Sequence, residues 1–213
     1  MTLLACAVLV ASRLGEFAHG ATLSKFVASS GFLAVAASSG AFQSRYGKVL
    51  FAGLLLSAIG DMFLLGTTKQ LFLLGLVSFL LAHVVYVGAF LTWGINVRWS
   101  VLAAIPVMVI AFSVSAWLTS YLTAEMVLPI RVYAAVISIM VIAAFGTWGA
   151  GGPTILPIGA LLFYFSDLSV AAGRFVAPDF PNYVWGLPFY YSGQVLLALS
   201  VAAAVGRQRV SRL

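Results

Sequence analysis

The chain has one cysteine, two histidines and very little charge: only 8% of its 213 residues are Asp, Glu, Lys or Arg. A soluble globular domain carries about 25% charged residues, so a water-exposed fold is excluded, and the 63% hydrophobic content points to lipid as the surrounding solvent. The single cysteine, Cys6, rules out an internal disulfide and any cysteine-based metal cluster. There is no Gly-x-Ser-x-Gly elbow, no Walker loop and no Gly-x-Gly-x-x-Gly between a strand and a helix. The glycine-rich run from Gly149 to Pro153 has no Lys or Ser/Thr following in register, so it reads as a loop and not a phosphate cradle. Segments of about ten residues with alternating polarity are missing too, which excludes a transmembrane barrel. What remains is a series of continuous apolar runs about twice that length, the pattern of an all-α polytopic membrane protein forming one domain over residues 1–213.

Each helical span takes about 20 residues, so eight would use roughly 160 and leave about 50 for loops and ends, and more than nine would not fit. Breaks at charge, Gly and Pro place eight spans at about 1–18, 22–40, 47–66, 70–91, 99–118, 126–147, 154–173 and 183–205. The first is the weakest: Met1 to Ser12 would cover only about 18 Å, so the helix must continue through Arg13, Gly15 and Glu16. A signal peptide is the other reading of that stretch. Leu3-Leu4-Ala5-Cys6 looks like a lipoprotein cleavage box, but no basic region precedes it, so the chain is expected to be mature from Met1. With eight spans both termini share a face. Arg45, Lys48, Arg98, Arg207, Arg209 and Arg212 fall on that face and Arg13, Lys25, Lys69 and Arg174 opposite, which favours both termini inside. The net charge of +6 comes from bases scattered singly through loops, so it reflects membrane orientation and no nucleic-acid partner is expected.

Two segments read alike: Gly53-Leu54-Leu55-Leu56, four residues, Asp61, and Gly159-Ala160-Leu161-Leu162, four residues, Asp167, at an offset of 106 residues. At the same offset Lys25 falls on Arg131, and Ala28, Val35, Ala37 and Gly40 fall on identical residues. The coincidence of base with base and acid with acid suggests a 4+4 duplication, with halves about 1–106 and 107–213 in parallel orientation.

Asp61 and Asp167 fall about five or six residues before the far ends of their spans, roughly 8–9 Å below the surface opposite the termini. Arg131 and Lys25 lie at similar depth in spans entered from that surface, and Glu16 near the end of the first span joins them. Charges inside spans must face the bundle interior, pair or line water, and by default they mark function. One reading is structural, with Lys25 paired to one Asp and Arg131 to the other. Yet the layer holds three acids and two bases, and a surplus carboxyl in an apolar surround favours its protonated form, as a general acid requires. Tyr133, Tyr190 and Gln194 enter at the same level, Gln194 one turn from Tyr190 and so on the same helix face. Tyr191 fits an interfacial aromatic belt as well as it fits the pocket. His83 falls near mid-membrane, some 10 Å below the carboxyls by helix rise, and is expected to bond through Ser78, Tyr86 or a backbone carbonyl as readily as to take part in chemistry. No metal-ligand spacing accompanies it, and no metal or cofactor is expected.

Four stretches resemble the YhhN-like membrane proteins, whose animal members are lysoplasmalogenases: Gly60-Asp61-Met62-Phe63-Leu64-Leu65, Phe79-Leu80-Leu81-Ala82-His83-Val84-Val85-Tyr86, Gly159-Ala160-Leu161-Leu162-Phe163-Tyr164-Phe165-Ser166-Asp167, and Tyr190-Tyr191-Ser192-Gly193-Gln194. With Lys25 they cover most of the chain in order, although Phe26 follows that lysine where the family commonly has a proline nearby. The resemblance implies eight spans, hydrolysis of the vinyl ether bond of lysoplasmalogens, and Asp61 and Asp167 as the catalytic pair. The expected partners are a lysophospholipid substrate and membrane lipid, and the expected location is a bacterial inner membrane with both termini cytoplasmic. Vinyl ethers hydrolyse by protonation at the alkene carbon, work that two carboxyls can divide as in glycoside hydrolysis. The Asp that neighbours Arg131 is expected to be ionised and the other protonated, and Lys25 or Arg131 could also hold the substrate phosphate. The alternative from another class is a small-molecule or proton-coupled transporter, which the duplicated halves and intramembrane charges also suit.

Overall fold

The computed structural model describes residues 2–14 and 18–210, with side chains described for 2–11 and 22–210. Glu16 lies outside the described residues. Among those described there is no strand, and the chain forms α1 (Thr2–Leu14), α2 (Ala18–Ser38), α3 (Arg45–Phe63), α4 (Lys69–Trp93), α5 (Val97–Thr119), α6 (Ala124–Gly149), α7 (Ile155–Ala171) and α8 (Asn182–Val210). A 3-10 turn, Ala41–Gln43, leads into α3, and a π turn, Ala172–Val176, ends α7. Six of these helices are long and apolar enough to cross a membrane: α3 to α6, α7 with its π turn, and α8. The described apolar parts of α1 and α2, Thr2–Ala11 and Thr22–Ser38, are shorter.

Local chemistry sets the helix ends. The Ser44 hydroxyl accepts the Gly47 amide at 2.9 Å to start α3, and Thr68 accepts the Leu71 amide at 3.2 Å to start α4. Gly94, at φ 113°, stops α4 in a conformation that a side chain would strain. The described helices fall within a few residues of the eight expected spans, although only six of them are long and apolar enough to cross a membrane, and two shifts matter. Helix α3 ends at Phe63, so Asp61 lies in its last turn, and α2 starts at Ala18, so Lys25 sits about two turns into its helix.

Small residues let the helices that carry the site approach closely. A Cβ on Gly53 would collide with the Tyr86 ring, and one on Gly60 with the Phe79 ring, so α3 and α4 pack backbone against aromatic face. Gly159 and Gly193 bring α7 and α8 together backbone to backbone, each facing the other's carbonyl oxygen. Helix α2 packs on α8 and α4 on α6, and α3 also contacts α8. The lipid side shows in α5, where Val101, Ile105, Met108, Val109 and Phe112 expose one apolar stripe. Loops after α3, α5 and α7 gather at one end of the bundle, and this is the end where the site opens.

Candidate active site

Asp61 is 2% exposed and fully partnered. One carboxylate oxygen, Oδ1, faces Lys25 Nζ at 3.4 Å; the other accepts hydroxyl hydrogen bonds from Ser29 at 2.6 Å and Tyr190 at 2.8 Å. Lys25 and Ser29 are one turn apart on α2, so a single helix face brings a cation and a donor to the same acid. One cation and two hydroxyl donors thus converge on a single buried carboxyl.

Asp167 has a different environment. Tyr133 donates to its Oδ2 at 2.6 Å, and His83 Nε2 stands 3.8 Å from the same oxygen, beyond hydrogen-bond range. Among the described residues no Lys or Arg pairs with it. The His83 Nδ1 bonds the Phe79 carbonyl and so carries the proton, which leaves Nε2 as a buried acceptor with no hydrogen-bond partner among the described residues. Phe163 joins the two carboxyl clusters as an apolar wall, its ring centroid 4.7 Å from that of His83 and 5.3 Å from that of Tyr190.

Both carboxyls line one cavity of about 690 Å³, together with Lys25, Tyr133 and Tyr190. It extends past Thr67 and Thr68 to Arg174 in the π turn, Asp179 in the loop that follows and Asn182 at the start of α8. A smaller, almost wholly apolar groove of about 250 Å³ runs between α4 and α6, and Leu76 and Tyr133 line both spaces.

Several residues expected in this layer sit elsewhere. Arg131 is exposed, donates to Thr119 at 3.4 Å and does not line the cavity, so neither Asp takes it as a partner. Helical rotation is the reason: residues two apart point about 160° away from each other, and Tyr133 occupies the inward face. Helix rise alone puts His83 some 10 Å below the carboxyls, yet its Nε2 lies 3.8 Å from Asp167 Oδ2. Side chains on a helix lean toward its N-terminus; α4 descends from the site end while α7 rises toward it, so the two side chains converge. Gln194 faces inward beneath the cavity, accepting the Tyr86 hydroxyl at 2.9 Å, while Ser57 bonds Tyr86 at 3.0 Å. Tyr191 is fully buried against Phe32 and Tyr190, not in a belt. Ser29, Ser57 and Tyr86 belong to the same polar network without being sequence candidates for chemistry, and each lies one helical turn from Lys25, Asp61 or His83.

Fold and site together define a multi-pass membrane protein with two unlike carboxyls on one cavity at one end of the bundle. The chain belongs to the YhhN family, which it matches over residues 3–201. It is 31% identical to lysoplasmalogenase TMEM86A of Bos taurus over 162 residues, covering 71% of this chain and 64% of that protein. It is also 31% identical to a lysoplasmalogenase of Mycobacterium tuberculosis over 180 residues, covering 82% of this chain and 67% of that protein. The chain thus spans about two thirds of the length of the curated relatives it matches. No solved structure matches it significantly.

Proposed function

We propose that the protein hydrolyses the vinyl ether bond of lysoplasmalogens, with Asp167 as proton donor and Asp61 as the ionised partner. The observation that carries the assignment is the unlike partnering of two carboxyls on one cavity: Lys25, Ser29 and Tyr190 around Asp61, but only a hydroxyl and an imidazole around Asp167. Environments that separate two titratable groups in this way divide acid and base roles. The relatives named lysoplasmalogenase support this reaction over transport.

Asp167 donates its proton to the alkene carbon that does not bear oxygen, giving an oxocarbenium ion whose charge faces the Asp61 carboxylate. Water adds to the oxygen-bearing carbon and passes a proton to Asp61, leaving a hemiacetal. The hemiacetal collapses: its hydroxyl proton returns to Asp167, the carbon–oxygen bond to glycerol breaks, and the departing oxygen takes the proton held on Asp61. Aldehyde and glycerophospho-alcohol leave with both carboxyls restored. Tyr133 holds the Asp167 carboxyl toward the cavity, and the aliphatic chain lies in the groove between α4 and α6 that Tyr133 borders.

A slight excess of bases at the other end of the bundle supports a cytoplasmic location for that end, with the cavity opening on the opposite side. The 106-residue correspondence of Asp61 with Asp167 fits a duplication whose halves have diverged, since Lys25 holds an acid and Arg131 does not. Purified Asp61→Asn and Asp167→Asn variants test the assignment. Each is expected to lose about 10²- to 10⁴-fold in aldehyde release while remaining folded. Full activity in either variant would refute its role.

A further inference from the structure

Arg174 is the basic group at the mouth of the cavity, and neither catalytic carboxyl takes it as a partner. It lies in the π turn that ends α7, and such departures from α-helix are frequent at functional sites. Its guanidinium is held over the Phe72 ring, 4.6 Å from the centroid, and among the described residues it has no carboxylate within ion-pair distance. Asp179 lines the same mouth, also without an ion-pair partner among the described residues. A base and an acid share one opening without neutralising each other.

The spacing suits a lysophospholipid. Arg174 stands two turns beyond Asp167, about 10 Å along the helix axis. In such a lipid seven bonds separate phosphorus from the alkene carbon that takes the proton, about 8 Å at the ~1.2 Å per bond of an extended chain. With the reacting carbon at Asp167, the phosphate reaches the guanidinium. Lys25 is committed to Asp61 and Arg131 faces away from the cavity, so neither meets the headgroup.

We infer that Arg174 and Asp179 form the headgroup subsite, Arg174 binding the substrate phosphate and Asp179 the ammonium of a zwitterionic headgroup. This rests on the reading of the cavity as a lysolipid hydrolase site. Guanidinium recognises phosphate by charge-assisted hydrogen bonds, and stacking on Phe72 leaves its donor edge free. The subsite sets substrate depth and selects phosphate-bearing lipids over neutral ones.

The test uses the full chain purified in detergent and three vinyl ether lipids: alkenyl-lysophosphocholine, alkenyl-lysophosphatidic acid and alkenylglycerol. Arg174→Gln is expected to raise KM about tenfold to a hundredfold on the two phosphate-bearing lipids and to leave alkenylglycerol unchanged. Asp179→Asn is expected to raise KM about twofold to fivefold on the choline lipid alone. Arg174→Lys should recover part of the loss, since the charge stays but the planar fork goes. Equal effects on all three lipids, or none, would overturn the subsite. A binding arm needs no turnover: wild type should retain labelled alkyl-ether lysophosphocholine, which has no vinyl ether, and Arg174→Gln should not. Equal retention by both overturns the proposal. Arg174-dependent retention with no aldehyde from any lipid would leave the subsite standing and remove the hydrolase reading.

Discussion

Asp61 is buried with its charge matched by Lys25, so removing the lysine alone leaves a carboxylate in an apolar interior. Lys25→Met is expected to cost about 3–5 kcal/mol, seen as a lowered unfolding temperature in detergent, and Lys25→Met with Asp61→Asn should regain part of it. At the other carboxyl, Tyr133→Phe removes the donor to Asp167 and should slow aldehyde release about tenfold with little change in melting temperature. The acids and Lys25 were legible in the sequence because an ionisable group inside an apolar run must find a partner. Arg131 misled for a geometric reason: depth along a helix says nothing about rotation around it, and Tyr133, two residues on, already claimed the inward side. Ser29 was within reach of the same rotation rule, one turn from Lys25. The Tyr86–Gln194 contact was not, since it needs the relative placement of α4 and α8.

Asp167 and Tyr190 meet one cavity because α7 and α8 touch at Gly159 and Gly193, where a Cβ on Gly193 would lie 2.8 Å from the Gly159 carbonyl oxygen. Backbone cannot yield as a side chain can, so Gly193→Ala should push these helices apart, costing about 1–3 kcal/mol in stability and lowering activity together. The groove between α4 and α6 gives a separate test. Leu128→Trp, at its outer wall, should raise KM for long-chain alkenyl lipids and spare short-chain ones, as steady-state kinetics across chain lengths would show. Eight helices and their approximate ends were readable from apolar run length. The depth of His83 was not, because counting residues follows Cα atoms while side chains on oppositely directed helices lean toward each other.

Over the whole molecule, little charge in much apolar surface is what makes the site conspicuous. Apolar side chains such as Phe112, 80% exposed, cover the outside, while polar groups concentrate inside around two carboxyls and at the loops above them. A lysolipid can enter such a protein with its headgroup at the mouth and its chain between helices, which a polar solute crossing the bilayer would not require. The hydrolase and carrier readings therefore differ in product. Purified protein mixed with lysoplasmenyl, acyl-lysophospholipid and alkyl-ether lysophospholipid, followed by mass spectrometry, separates them. Fatty aldehyde and glycerophospho-alcohol are expected from the vinyl ether lipid alone, with no free fatty acid from the acyl lipid. Unchanged vinyl ether lipid in the presence of folded protein would contradict the hydrolase reading.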